Sequence, residues 1–179
     1  MLGQRIITAV ILLAALLPAL FAANPLPFQA LTVLMIGAAG WEWARLNGVV
    51  AKPVAIGCGL LLAAACWASF GLVSQAQVLA PCWWLALVAW VVGGTVALRL
   101  GPAGWPRLPS LARLVLGLVL LWLAWLAMAR GRAIGVNFLL SVMCIVWVAD
   151  IAAYFGGRAF GRRKLAPTIS PGKSWEGVY

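Results

Sequence analysis

Histidine is absent from these 179 residues, acidic residues number 3, and charged residues of both signs together make up only 9% of the chain. Without imidazole the chain by itself offers no catalytic triad, no His-ligated zinc and no proton shuttle near neutral pH. The scarcity of charge excludes a soluble domain, which would carry about 25% charged residues and about 45 to 50% apolar ones, whereas 65% of this chain is hydrophobic. Paired cysteines are lacking too. Cys58, Cys66, Cys82 and Cys144 all sit inside apolar stretches with no CxxC spacing, so they read as small hydrophobes, not as a disulfide framework or a metal site.

What is present is long apolar runs. A membrane-spanning helix takes roughly 20 apolar residues, and hydropathy gives six candidates: Ile6 to Ala23, Phe28 to Leu46, Val54 to Val73, Leu79 to Leu98, Leu114 to Ala129 and Ala133 to Phe155. The expected fold is therefore all-α, a polytopic transmembrane bundle of about six spans. Residues 1–155 form its membrane region and 156–179 a basic segment outside it. The first run has Arg5 before it but no small-x-small cleavage pattern ahead of Asn24-Pro25, so it reads as a retained anchor.

The net charge of +10 has a location. With the N-terminus inside, Arg5, Arg45, Lys52, Arg99, Arg107, Arg113, Arg158, Arg162, Arg163, Lys164 and Lys173 are cytoplasmic, and only Arg130 and Arg132 lie outside. Eleven against two satisfies the positive-inside rule, so the basic segment is expected on the cytoplasmic side; the expected location is the cell (inner) membrane. The loop from Arg99 to Arg113, with Pro102, Pro106 and Pro109, reads as an inner connector with Trp105 at headgroup level. Small residues at Gly37 to Gly40, Gly57 and Gly59 would let helices approach closely.

Carboxylates in so apolar a chain mark places where chemistry can occur. Glu42 lies between Trp41 and Trp43 and can pair with Arg45 at i+3, as an interfacial ion pair or as something functional. Asp150 lies near the inner end of the last span, sharing a helix face with Trp147 and Tyr154. There it can hold a cation, orient a base, or make an interhelical hydrogen bond. Beyond it, glycines that expose backbone N–H groups alternate with Arg, Lys, Ser and Pro, the composition of an anion or phosphate cradle. A polybasic segment can also simply bind anionic headgroups. The cradle is not a Walker A loop: Pro167 stands where the first glycine before Gly172-Lys173-Ser174 is needed, and Gly161 is followed by Arg162-Arg163.

From Asp150 onward the sequence resembles the phosphatidate cytidylyltransferase family, also called CDP-diglyceride synthases. The residues that carry the resemblance are Asp150-x-x-Ala153-Tyr154-x-x-Gly157-Arg158-x-Phe160-Gly161-Arg162-x-Lys164-Leu165-x-Pro167-x-Ile169-Ser170-Pro171-x-Lys173-Ser174-x-Glu176-Gly177. Arg5 before the first span and Glu42 in the second agree more weakly. The resemblance implies transfer of a cytidylyl group from CTP to phosphatidate, giving CDP-diacylglycerol and pyrophosphate, with Mg²⁺ as cofactor. It implies catalytic roles for Asp150, Lys173 and Glu176. Substrate and phosphate binding would fall to Tyr154, Gly157, Arg158, Gly161, Arg162, Lys164, Ser170 and Ser174.

Asp150 and Glu176 are the tail-side carboxylates available to orient a hard cation. Family members are typically longer, so the resemblance also implies that this chain is the N-terminal part of such an enzyme, catalytically incomplete alone, with the main metal carboxylates beyond Gly177. The partners expected are CTP, phosphatidate and membrane lipids, with a homodimer left open and no nucleic acid. The readings that compete are a CTP-dependent lipid kinase of the dolichol or phytol kinase kind, and a non-catalytic transporter or anionic-lipid-binding scaffold. A transporter would more usually show broken helices in symmetry-related halves, which the sequence lacks.

Overall fold

The computed structural model describes residues 2–179, apart from the side chains of residues 2–5 and of Ala9. The side chain of Arg5, counted above on the inner side, therefore lies outside the described residues. Seven helices follow one another: α1 (Leu2–Phe21), α2 (Leu26–Leu46), α3 (Lys52–Ala68), α4 (Ala76–Val88), α5 (Gly94–Gly104), α6 (Ser110–Ile134) and α7 (Val136–Phe160). A short hairpin, β1 (Lys164–Ala166) with β2 (Ser170–Ser174), closes the chain. Each of the six apolar runs is helical. Among the described residues, four stretches are long and apolar enough to cross a membrane, Lys52–Leu72, Ala76–Arg107, Ser110–Ile134 and Val136–Phe160. The protein is an all-α polytopic membrane bundle with one small sheet, which hydropathy alone does not register.

Several boundaries differ from the expected ones: α6 runs from Ser110 to Ile134 against an expected Leu114 to Ala129, and α7 starts at Val136 instead of Ala133. Two further differences have identifiable reasons. The inner connector starts as helix, because α4 passes through a π-turn at Ala89–Gly93 into α5, which bends at Gly101, where φ is 62°. Only glycine adopts that backbone without strain, and Pro102 follows it. α7 outlasts the expected span by five residues and ends at Phe160. The hydropathy falls at Gly156-Gly157-Arg158, but nothing there breaks the helical hydrogen bonding.

The chain divides into two compact units, residues 1–82 with 110–136, and residues 83–109 with 137–179. In the first, α2 packs against α3, α6 and α1. Its contact with α3 is backbone-close: a Cβ on Gly59 would lie 2.5 Å from the carbonyl of Gly37, and one on Gly40 2.8 Å from Leu62 Cδ2. This is the small-residue packing expected of membrane helices, where close backbone approach gains dispersion contact. A Cβ on Gly117 of α6 would overlap the indole of Trp43, whose Nε1 donates to the carbonyls of Arg113 and Leu114 at 3.3 and 3.2 Å.

Trp125, 1% exposed, donates to Thr32 Oγ1 at 3.3 Å, and Trp122 donates to Ser69 Oγ at 3.0 Å. Buried indoles need such acceptors, because an orphaned N–H has no water to turn to. Arg45, expected to pair with Glu42, instead lays its guanidinium over the Trp41 ring at 5.9 Å from the centroid.

The two arginines that break the charge asymmetry have local work. Arg132 donates from Nε to the carbonyl of Leu20 at 3.0 Å and from Nη2 to that of Ala22 at 2.7 Å. Arg130 donates to the carbonyls of Val73 and Ser74 at 3.0 and 3.4 Å. These carbonyls end α1 and the 3₁₀ turn that continues α3, where backbone acceptors lack intrahelical partners and the helix dipole is negative.

Candidate functional site

In the second unit the last turns of α7 and the returning hairpin enclose a cleft of about 640 Å³. From α7 it is lined by Asp150, Ala153, Tyr154, Gly157 and Arg158, which are one helix face at i, i+3, i+4, i+7 and i+8. From the hairpin side it is lined by Leu165, Ser170, Gly172, Lys173, Ser174, Gly177 and Val178. Arg158 Nη1 donates to the Tyr154 hydroxyl at 3.3 Å, which steadies both over the cleft.

The return of the chain onto α7 depends on three glycines. A Cβ on Gly177 would sit 2.6 Å from the carbonyl of Ala153 and 3.0 Å from the nitrogen of Gly157. One on Gly161 would collide with the carbonyl of Gly157 and lie 2.6 Å from Ser174 Oγ, and one on Gly157 would lie 3.1 Å from that same hydroxyl. Gly157 and Gly161, expected to open the backbone to phosphate, thus admit Ser174. Ser174 is 5% exposed, and its hydroxyl has no hydrogen-bond partner.

The hairpin is antiparallel, with Lys164 opposite Ser174, Ala166 opposite Ser170, and an irregularity between. Trp175 N–H donates to the carbonyl of Arg163 at 3.0 Å and closes its base. Glu176 follows. Its carboxylate accepts from the backbone N–H of Arg162 at 3.1 Å and from that of Arg163 at 3.2 Å through each oxygen. Glu176's own backbone N–H, which contributes most, then these two donors and the nearby Arg163 charge hold the carboxyl below the usual carboxylate range.

The predicted site residues therefore fall into two groups. Asp150, Tyr154, Gly157, Arg158, Ser170, Lys173 and Ser174 share the cleft, whereas Gly161, Arg162 and Glu176 line a second hollow with Ala159 and Phe160. Lys164 is exposed on β1 and lines neither, and Trp147, expected on the Asp150 face, is exposed and outside the cleft. Among the described residues no three His, Cys, Asp or Glu side chains come together to hold a metal. The two tail-side carboxylates line different hollows, so these two residues do not by themselves make up a Mg²⁺ site.

Sequence reasoning gave Gly177 no role and missed the backbone N–H groups of Arg162 and Arg163. The signal for Gly177 was its place next to Glu176 in a motif otherwise dense in assigned residues.

Fold and site together define a polytopic membrane protein with a basic, carboxylate-bearing cleft at the end of an apolar helix. The sequence matches the cytidylyltransferase family over residues 3–179, and the chain belongs to that family. It is 36% identical over 184 residues to a phosphatidate cytidylyltransferase of Pseudomonas aeruginosa, covering 100% of this chain and 66% of that protein. It is 34% identical over 200 residues to one of Haemophilus influenzae, covering 99% and 68%. A phosphatidate cytidylyltransferase of Brucella suis matches over 54 residues at 46% identity, 30% of this chain and 20% of that one. The chain thus spans about two thirds of the length of the curated relatives it matches along its whole extent. No solved structure matches it.

Proposed function

We propose that this protein takes part in phospholipid biosynthesis by transferring the cytidylyl group of CTP to phosphatidate, releasing pyrophosphate. The observation that carries this is the cleft, which gathers Asp150 and Arg158 of α7 with Lys173 of the hairpin where an apolar helix ends in a polar segment. The family match along the chain supports it.

The chemistry suits these groups. The lipid phosphate attacks the α-phosphorus of CTP while the bond to the β-phosphate oxygen breaks, so two anions must approach and a third must depart. Positioning and charge neutralisation then carry most of the catalysis. Lys173 and Arg158 supply positive charge to phosphate oxygens, and Ser170 donates a hydrogen bond. Tyr154 shapes the wall that the Arg158 contact steadies. Asp150, fixed on the helix, orients a donor or a cationic group. Mg²⁺, when bound, would supply further positive charge to the phosphates.

The nucleotide arrives from water and the lipid from the bilayer, and in this reading the cleft sits at the inner membrane and opens to the cytoplasm, where CTP is made. The charge asymmetry of the sequence supports that orientation. In the first unit, Arg45 and Lys52 lie at helix ends that adjoin the α6 end bearing Arg113, opposite the end held by Arg130 and Arg132.

Transfer of radiolabel from CTP into solvent-extractable lipid, with phosphatidate and Mg²⁺, tests the reaction. Label in CDP-diacylglycerol is the expected result. CDP and a newly phosphorylated lipid would assign the protein to CTP-dependent lipid kinases, and no labelled lipid from the full-length protein would overturn the enzymatic reading.

A further inference from the structure

We propose that Glu176 is a positioning residue that clasps the turn after α7, not a holder of metal. This rests on the reaction proposed above. Both N–H groups that it accepts belong to the two residues where the chain has just left α7 and not yet entered β1. Helical acceptors are no longer available there, so the carboxylate supplies what the backbone lacks.

Arg163 is held from two sides. Its N–H donates to Glu176, and its carbonyl accepts from Trp175 N–H at 3.0 Å. Two residues before Glu176, Ser174 is buried against Gly157 and Gly161, and Lys173, immediately before that, faces the cleft. Releasing the carboxylate therefore loosens the segment that carries the cleft's lysine. A hard divalent cation asks for several oxygen ligands in a defined geometry, whereas both Glu176 oxygens are engaged by backbone N–H groups and Asp150 lines the other hollow.

The two roles part on replacement. A glutamine keeps an oxygen that accepts N–H bonds but is a poor ligand for a hard cation; an alanine keeps neither. In the full-length protein in detergent, Glu176→Ala is expected to raise KM for CTP by about tenfold, in line with loss of charge-assisted hydrogen bonds. The change in kcat should be smaller and the Mg²⁺ concentration for half-activity unaltered. Glu176→Gln is expected to return KM to within about threefold of the parent. Amide hydrogen exchange at Arg162 and Arg163 should accelerate in Glu176→Ala and be largely restored in Glu176→Gln.

A Gln variant as impaired as the Ala variant, with a raised Mg²⁺ requirement, would overturn the proposal in favour of metal ligation. Unchanged exchange and unchanged KM in Glu176→Ala would overturn it outright. Were the parent protein itself silent in the transfer assay, the reaction would fall and the positioning role with it, while exchange would still report whether the clasp exists.

Discussion

At the scale of single residues the proposed reaction divides the side chains that line the cleft from those that hold others in place. Lys173→Ala removes a cleft-lining charge and, if that charge meets phosphate, should raise KM for CTP by about tenfold, the worth of one charge-assisted hydrogen bond, measured by initial rates in the transfer assay. Asp150→Asn keeps shape and removes charge. If Asp150 orients a reacting group, turnover should fall by about 10²-fold or more while membrane insertion, followed by fractionation, stays unchanged.

The pH behaviour of the clasp has a definite sign. Because the folded carboxyl of Glu176 is held below its ordinary range by N–H donors, its contribution is present above the unfolded pKa and is lost only as pH falls through the lower folded value. Exchange at Arg162 and Arg163, corrected for the intrinsic rate, should therefore stay slow from neutrality down through the ordinary carboxylate range. The cations and hydroxyls that line the cleft were legible in the sequence because such groups must be spelled out in side chains. The donors to Glu176 were not, since backbone N–H groups have no letter.

Elements show a different balance. The six apolar runs were legible as helical because about 20 apolar residues in a row have few other fates. The hairpin was not, because Lys164–Ala166 and Ser170–Ser174 are short, lack β-branched alternation, and pair only when the glycines of α7 let them lie close. What joins helix to helix was half legible: glycines announce close approach but not the partner, and nothing in the sequence pairs Trp125 with Thr32.

Gly59→Leu should separate α2 from α3, because the added side chain would meet the Gly37 carbonyl. A cost of about 1–3 kcal/mol, the usual range for overpacking, would appear as a lowered midpoint of thermal denaturation in detergent. Trp125→Phe keeps the ring volume close and drops the bond to Thr32, so a smaller loss of about 0.6 kcal/mol is expected, typical of an interhelical hydrogen bond in a membrane protein.

On the scale of the whole molecule, the apolar exterior is the feature that decides where the protein can exist. Residues such as Ile145, Val148 and Ile151 on α7 are more than half exposed, which water would not tolerate over so long a helix and lipid would. Orientation across that lipid is tested by single cysteines in a cysteine-free background. Ser74→Cys, at the end held by Arg130, should react with an impermeant maleimide in intact cells. Thr168→Cys, in the hairpin turn, should react only after the membrane is opened. The reverse pattern would place the cleft on the outer side.

The first unit is discontinuous along the chain, its α2 meeting α3 at once but α6 only after residues 83–109 have been made. At about 5 to 20 residues per second, the ribosome takes on the order of several seconds to travel from the end of α3 to the end of α6. During that interval the carbonyls at Leu20, Ala22 and Val73 must find water or lipid headgroups, and the hydroxyl of Thr32 waits for its indole. Chain order therefore imposes a sequence on the packing: α2 can meet α3 before α6 exists, and the contacts made by Arg130 and Arg132 can only be added last.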